Sequence, residues 1–261
     1  MTHYSLKDIR FAYIQKKNWE KQFPLNYLFV RPISFYITYF TLKVTQDPGK
    51  IAIFGFFLGA LGCFLLALSS IYSIWPGFLL IFLFSLFDAV DGNVARTTNN
   101  VTLFGKFLDG FLGDLIYRSY PFFLGIGLCF SPQPFPDFLI AHLTDQHAVA
   151  IPLFLGSVAL ISGLWASCFE RTFHAYHLQK EGCQPISQAD LKKPITKSTR
   201  SGRWYYMLFL NIDSLNNQLL LLLLFCEINQ MIWFLFLLAC FFVTKAIYFF
   251  LFYYDKAAKT L

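Results

Sequence analysis

Apolar runs of bilayer-spanning length recur along this 261-residue chain and constrain it more than any other feature. A helix needs about twenty largely apolar residues to cross the hydrocarbon core of a membrane. Six runs are read as spans, at about 51–70, 78–96, 103–130, 149–169, 204–226 and 230–254. Composition agrees, with 56% hydrophobic and only 14% charged residues, where soluble domains average about 25% charged. The expected fold is an all-α integral membrane protein of six transmembrane helices. These account for most of the length, so no separate soluble domain is expected.

The chain divides into a cytoplasmic and interfacial segment over 1–48, a six-helix membrane domain over 49–255 and a cytoplasmic tail over 256–261. Residues 1–31 carry Lys7, Arg10, Lys16, Lys17, Lys21 and Arg31 among aromatics, which suits a membrane surface; a solvated tail is the alternative. From Pro32 to Thr45 the sequence is aromatic and too short to span comfortably, and it reads as an N-terminal amphipathic helix lying in the interface. Turns are expected at Asp47-Pro48-Gly49 and around 72–77, which reads YSIWPG. Gly55, Gly59 and Gly62 in the first span offer surfaces for close helix packing. The polar patch of the fifth span, with Asn211, Asp213, Asn216 and Asn217, reads as hydrogen bonding between helices, with a ligand role as the alternative.

The net charge of +6 lies mostly in segments flanking the apolar runs, where it sets topology and attracts anionic head groups, so nucleic acid binding is not expected. The N-terminal segment, the polar break RTTNNVT that starts at Arg96, the 170–203 segment and the tail hold nearly all 21 lysines and arginines, whereas the three intervening loops hold none. That alternation places both termini and the break in the cytoplasm, and a bacterial inner membrane is the expected setting. The N-terminus has no apolar h-region, so no cleaved signal peptide is expected. Six scattered cysteines without CxxC spacing read as buried thiols. His174 and His177 have a metal-like spacing but fit solvated surface histidines more simply. The Asn100-Val101-Thr102 triplet is a glycosylation acceptor expected to stay unused on the cytoplasmic side.

Carboxylates and glycines interrupt the apolar sequence in one stretch, FDAVDGNVARTTNNVTLFGKFLDGFLGDL, from Phe87 to Leu115. Asp88, Asp91, Gly92 and Ala95 fall at i, i+3, i+4 and i+7, so a helix puts two acids and two small residues on one face. Gly105 and Asp109 repeat the theme on a second helix. Three acids at the ends of apolar helices are costly unless neutralised, and divalent cations that prefer oxygen ligands do this best.

This stretch resembles the class I CDP-alcohol phosphotransferases, whose pattern is D-x2-D-G-x2-A-R-x8-G-x3-D-x3-D. Asp88, Asp91, Gly92, Ala95, Arg96, Gly105 and Asp109 stand at those spacings, seven of the eight fixed positions. The place of the last acid holds Gly113, and Asp114 comes one residue late. On a regular helix an acid at 113 lies about 40° from Asp109, whereas Asp114 lies about 140° away. Two readings remain: a π-bulge returns Asp114 to the metal face with Arg118 beside it, or the helix is regular and Asp114 and Arg118 pair on the opposite face.

The resemblance implies displacement of CMP from a CDP-linked donor by an alcohol. Asp88, Asp91, Asp109 and Asp114 would hold two Mg²⁺ or Mn²⁺ ions, with Asp109 and Asp114 as catalytic acids, Asp114 the base. Asp91, Gly92, Ala95, Arg96 and Gly105 would bind CDP, and Arg118, Arg171 and Lys245 line the acceptor pocket or form structural ion pairs. The implied partners are a CDP-linked donor, an alcohol acceptor, membrane lipids and a second copy in a homodimer. CDP-diacylglycerol with a soluble polyol, polyol phosphate or amino alcohol leads; CDP-choline or CDP-ethanolamine with diacylglycerol, or a CDP-polyol, are alternatives. Two competing classes stay open: a transporter with intramembrane carboxylates, and a non-catalytic lipid-binding relative.

Overall fold

The computed structural model describes residues 4–68, 71–130, 145–180 and 210–260. The loop between the third and fourth expected spans, most of the basic segment before 203, Cys183, the first residues of the fifth expected span and the side chains of His174 and His177 lie outside what it describes. Eight α-helices follow in order: α1 (Leu6–Glu20), α2 (Arg31–Val44), α3 (Pro48–Ala67), α4 (Ile71–Thr97), α5 (Leu103–Phe130), α6 (Asp145–Lys180), α7 (Leu215–Glu227) and α8 (Met231–Thr260). No strand occurs among the described residues.

Among the described residues four helical stretches are long and apolar enough to cross a membrane: Pro48–Ala67, Ser73–Thr97, Ala150–Phe173 and Met231–Ala258. The two other expected spans differ for physical reasons. Helix α5 has the length, 28 residues, but Lys106, Asp109, Asp114 and Arg118 dilute its apolar character. The fifth run is broken: the helix stops at Ile212 and restarts at Leu215, leaving a 13-residue α7. Its polar patch supplies the break and mends it, since Asn217 Nδ2 donates to the Asn211 carbonyl at 2.8 Å and Gln218 Nε2 to the Ile212 carbonyl at 2.8 Å. Asn211 and Asn216 reach the N-terminal segment, at the Gln22 carbonyl (2.9 Å) and Asn26 Oδ1 (2.6 Å).

Three boundary expectations are also corrected. The YSIWPG segment is helix, not turn: α4 begins at Ile71 and carries Pro76 inside it. Gly77 explains the choice, because its missing Cβ would come 3.0 Å from the Gly62 carbonyl of α3, a contact that only a continuous helix surface with no side chain can make. The helix of the fourth expected span runs past its expected end at about 169, because α6 continues through the start of the polar segment to Lys180. At the DPG site Pro48 and Gly49 open helix α3 in place of the expected turn, and Asp47 Oδ1 caps the helix by accepting the Gly49 N–H at 2.9 Å.

The described helices form two compact units that interleave in sequence. The first contains α1, α2, the start of α3, the later part of α4 and the start of α5. The buried side of α2 carries Arg31, Ser34, Phe35, Thr38 and Leu42, while Ile33, Tyr36, Phe40 and Val44 are exposed. Its outward face is therefore the apolar one, the inverse of a helix on a soluble protein. Ile9 and Tyr13 of α1, Phe35 and Leu42 of α2, Ile51 of α3 and Val90 and Val94 of α4 form its core. In the second unit α6 and α8 pack along their length, with Phe169 on Phe250 (5.3 Å) and Phe173 on Tyr253 (4.9 Å). There α5 meets α6 where Gly156 faces the Pro121 carbonyl, so that a Cβ would come within 2.8 Å of it.

Candidate active site

The expected motif straddles a helix end, a turn and a helix start, and local hydrogen bonds fix all three. Helix α4 closes with Asn99 in the left-handed region (φ 57°), Asn100 N–H bonding the Ala95 carbonyl (2.9 Å) and Asn99 N–H the Arg96 carbonyl (3.3 Å). This is a Schellman motif with asparagine in the place glycine usually takes. Thr102 then caps α5, its Oγ1 accepting the Gly105 N–H at 3.0 Å. The turn returns the chain so that the acids of α4 and α5 share one place.

Asp88 and Asp91 of α4 and Asp109 of α5 line one cavity together with Ala52, Gly55, Phe84, Leu112 and Gly113. Its volume is about 10 Å³, the space of one water or ion. Among the described residues the lining holds three carboxylates and no lysine, arginine or histidine. Asp91 is 6% exposed, whereas Asp88 and Asp109 are exposed. Gly55 brings α3 to α4 here, a Cβ on it coming 3.0 Å from Phe87 Cβ.

The donors are carboxylate oxygens only, the chemistry a hard divalent cation takes, and the space is ion-sized, so the set fits such an ion in kind and in position. It does not yet fit in closeness. Among the described residues no group of three or more histidine, cysteine, aspartate or glutamate side chains is drawn together around one point.

Asp114, expected as base and fourth ligand, is not among the residues lining this cavity. Helix α5 is regular from Leu103 to Phe130, so no π-bulge absorbs the extra residue. Asp114 Oδ2 instead accepts a hydrogen bond from Arg171 Nη2 of α6 at 2.5 Å. Its expected partner, Arg118, is 5% exposed and is held by Ser167 Oγ (3.1 Å) and the rings of Tyr117 and Phe242 (4.2 and 5.0 Å). Gly163 makes room for it, since a Cβ there would meet Arg118 Cδ at 2.9 Å. Lys245 is buried on α8 with its ammonium over Phe249, 5.3 Å from the ring centre. Gly113, in the position of the missing acid, faces open space: a Cβ on it meets nothing within 4 Å.

The small residues expected to admit CDP have local explanations as well. The room left by Gly92 is filled by Arg96, whose Nη2 lies 3.2 Å from where a Cβ would stand. Gly105 keeps the Thr102 cap, with a Cβ coming 3.1 Å from its Oγ1. Ala95 lends its carbonyl to the Schellman turn.

One group of residues was not anticipated. Arg31 at the start of α2 pairs through both Nε and Nη2 with Glu20, and its Nη1 donates to Asn93 Oδ1 (3.2 Å) and the Ala89 carbonyl (3.4 Å) of the motif helix. Asn93 Oδ1 also accepts from Arg96 Nη2 (3.0 Å), and Asn93 Nδ2 donates to Ser34 Oγ (3.1 Å) and Thr38 Oγ1 (3.3 Å). Tyr13 O–H donates to Glu20 at 2.6 Å, and its pKa is pushed well above the ordinary tyrosine range by burial and by that carboxylate. Polar residues at Arg31, Ser34 and Thr38, spaced by three and four within an aromatic helix, were the signal for it.

Comparison with known proteins bears on the same stretch. Residues 47–165 match the model of the CDP-alcohol phosphatidyltransferase family. An uncharacterized protein of Aquifex aeolicus (strain VF5) is 43% identical over 80 residues, 31% of this chain; the chain spans about two fifths, 39%, of that relative's length. The matched segment contains all seven motif residues and the three-acid cavity, and over this stretch the chain is similar to the CDP-alcohol phosphatidyltransferase family.

Proposed function

We propose that this chain is a membrane phosphotransferase that moves a substituted phosphoryl group from a CDP-linked donor to an alcohol and releases CMP. The observation that carries this reading is the convergence of Asp88, Asp91 and Asp109 on one ion-sized cavity inside the family-matched segment. Asp88, Asp91 and Asp109 would hold Mg²⁺ or Mn²⁺, which when bound offsets the charge of the donor pyrophosphate and makes CMP a better leaving group. The cavity is too small for a nucleotide, so the cytidine rests outside it. Arg96, fixed by Asn93, brings a positive charge to the same helix end. The acceptor oxygen bonds to the phosphorus as the bond to CMP breaks. Its proton passes to Asp109, the exposed acid that α5 contributes, because Asp114 is held by Arg171.

CDP-diacylglycerol is the proposed donor, since the four apolar helices place the chain in a bilayer where that lipid dissolves. Buried Arg118 and Lys245 favour an anionic, phosphorylated acceptor. The proposed orientation keeps both termini and the motif in the cytoplasm, where nucleotide-activated donors are made. The test is CMP release by purified protein with CDP-diacylglycerol and a panel of polyols, polyol phosphates and serine, with and without EDTA. CMP release that requires Mg²⁺ or Mn²⁺ and is lost in Asp91→Asn is expected. No release with that donor, nor with CDP-choline, CDP-ethanolamine or a CDP-polyol, would overturn it.

A further inference from the structure

Away from the carboxylates, α1, the π-helical segment Asn26–Val30 and α2 enclose a groove of about 640 Å³, within the range of about 300–1,000 Å³ usual for ligand sites. One wall is a single stripe of α1: Lys7, Arg10, Phe11 and Ile14 fall at i, i+3, i+4 and i+7 and all four are exposed, Phe11 by 76% and Ile14 by 57%. Tyr27, Leu28 and Phe35 form the facing wall. Among the described lining residues the cations stand toward the N-terminal end of the stripe and the apolar side chains toward the other, a polarity that matches an amphiphile.

The charges have been sorted by the fold. Arg31 at the floor is neutralised by Glu20. Asp8 is turned to the helix end, where its Oδ2 accepts from Ser5 N–H and Ser5 Oγ (2.8 and 2.7 Å). These bonds hold its carboxyl below the ordinary range, so it stays an engaged anion of the cap. Lys7 and Arg10 pair with no carboxylate among the described residues. The groove therefore keeps a net positive end beside an apolar channel.

We propose that this groove binds one anionic membrane phospholipid, its head-group phosphate at Lys7 and Arg10 and an acyl chain along Phe11, Ile14 and Leu28. Charge complementarity selects the head group, and the exposed apolar stripe, on a chain with four described helices long and apolar enough to cross a bilayer, selects a lipid over a soluble anion. The site lies outside the family-matched segment.

The test uses the full chain in nanodiscs of dioleoylphosphatidylcholine containing one fifth dioleoylphosphatidylglycerol, with lipids that remain bound after release counted by native mass spectrometry. Retention of phosphatidylglycerol over phosphatidylcholine is expected in the wild type. A Lys7→Gln/Arg10→Gln double variant should retain it roughly thirty-fold less well. Ile14→Trp, which fills the groove and keeps both charges, should also lose it, whereas Lys43→Gln, on α2 outside the groove, should not. Equal losses in Lys43→Gln and the double variant would reduce the effect to surface charge and overturn the proposal, as would undiminished retention in Ile14→Trp. Displacement of the bound lipid by glycerol phosphate alone, without a chain, would show a phosphate site only and overturn it too. Retention is measured without nucleotide, so its outcome is separate from that of the CMP assay.

Discussion

Asp109 and Asp114 stand five residues apart on one regular helix and live under opposite conditions. Asp109 opens onto a cavity shared with Asp88 and Asp91, whose lining has no basic side chain among the described residues. Asp114 is matched by Arg171 at 2.5 Å, with half of the arginine side chain in solvent. The difference teaches that an acid in a family motif is assigned its role by its neighbours. Accumulated negative charge asks for a cation from outside the chain; a charge already answered by a guanidinium does not.

Breaking the first environment should have the largest effect. Asp91→Asn and Asp109→Asn are each expected to lower metal-dependent CMP release by about a hundredfold or more, the scale of removing one electrostatic stabiliser of a transition state. Next comes the support beneath the motif helix. Glu20→Ala leaves Arg31 buried without its carboxylate and is expected to cost about 3 kcal/mol of stability, measured as a lowered thermal midpoint in detergent. Removing both, as Glu20→Leu/Arg31→Met, should restore much of that loss.

The comparison can be sharpened by giving the cavity the acid it lacks. Gly113→Asp adds a carboxylate where a Cβ meets nothing, so folding should be unharmed and the Mg²⁺ concentration for half-maximal activity should fall about tenfold, about 1.4 kcal/mol. At the small end, Asp114→Asn or Arg171→Gln breaks only a half-exposed pair, worth about 0–1 kcal/mol, and CMP release should change by less than about threefold. A collapse of activity in Asp114→Asn would make Asp114 the base and reverse the assignment to Asp109.

The acids of the cavity were legible in the sequence because helical spacing is local: Asp88 and Asp91 had to share a face, and Gly105 and Asp109 repeat the theme on the helix that follows. The turn expected at YSIWPG was not found because the packing of Gly77 on Gly62 overrides what Pro76 suggests. The fifth run is interrupted where NIDSLNNQ offers the backbone side-chain partners in place of helix bonds, a competition that hydropathy does not register. The Glu20–Arg31–Asn93 network escaped notice because its bonds join residues up to 62 positions apart. Counted alone, Arg31 looked like one more basic residue at a membrane surface.

The most direct measurement of the central claim is binding of Mn²⁺ to the purified protein, followed by electron paramagnetic resonance with CDP present. Tight Mn²⁺ binding in the wild type, lost in an Asp88→Asn/Asp91→Asn/Asp109→Asn variant and kept in Asp114→Asn, is the expected result. Equal binding in the wild type and the triple variant, or none in either, would contradict it.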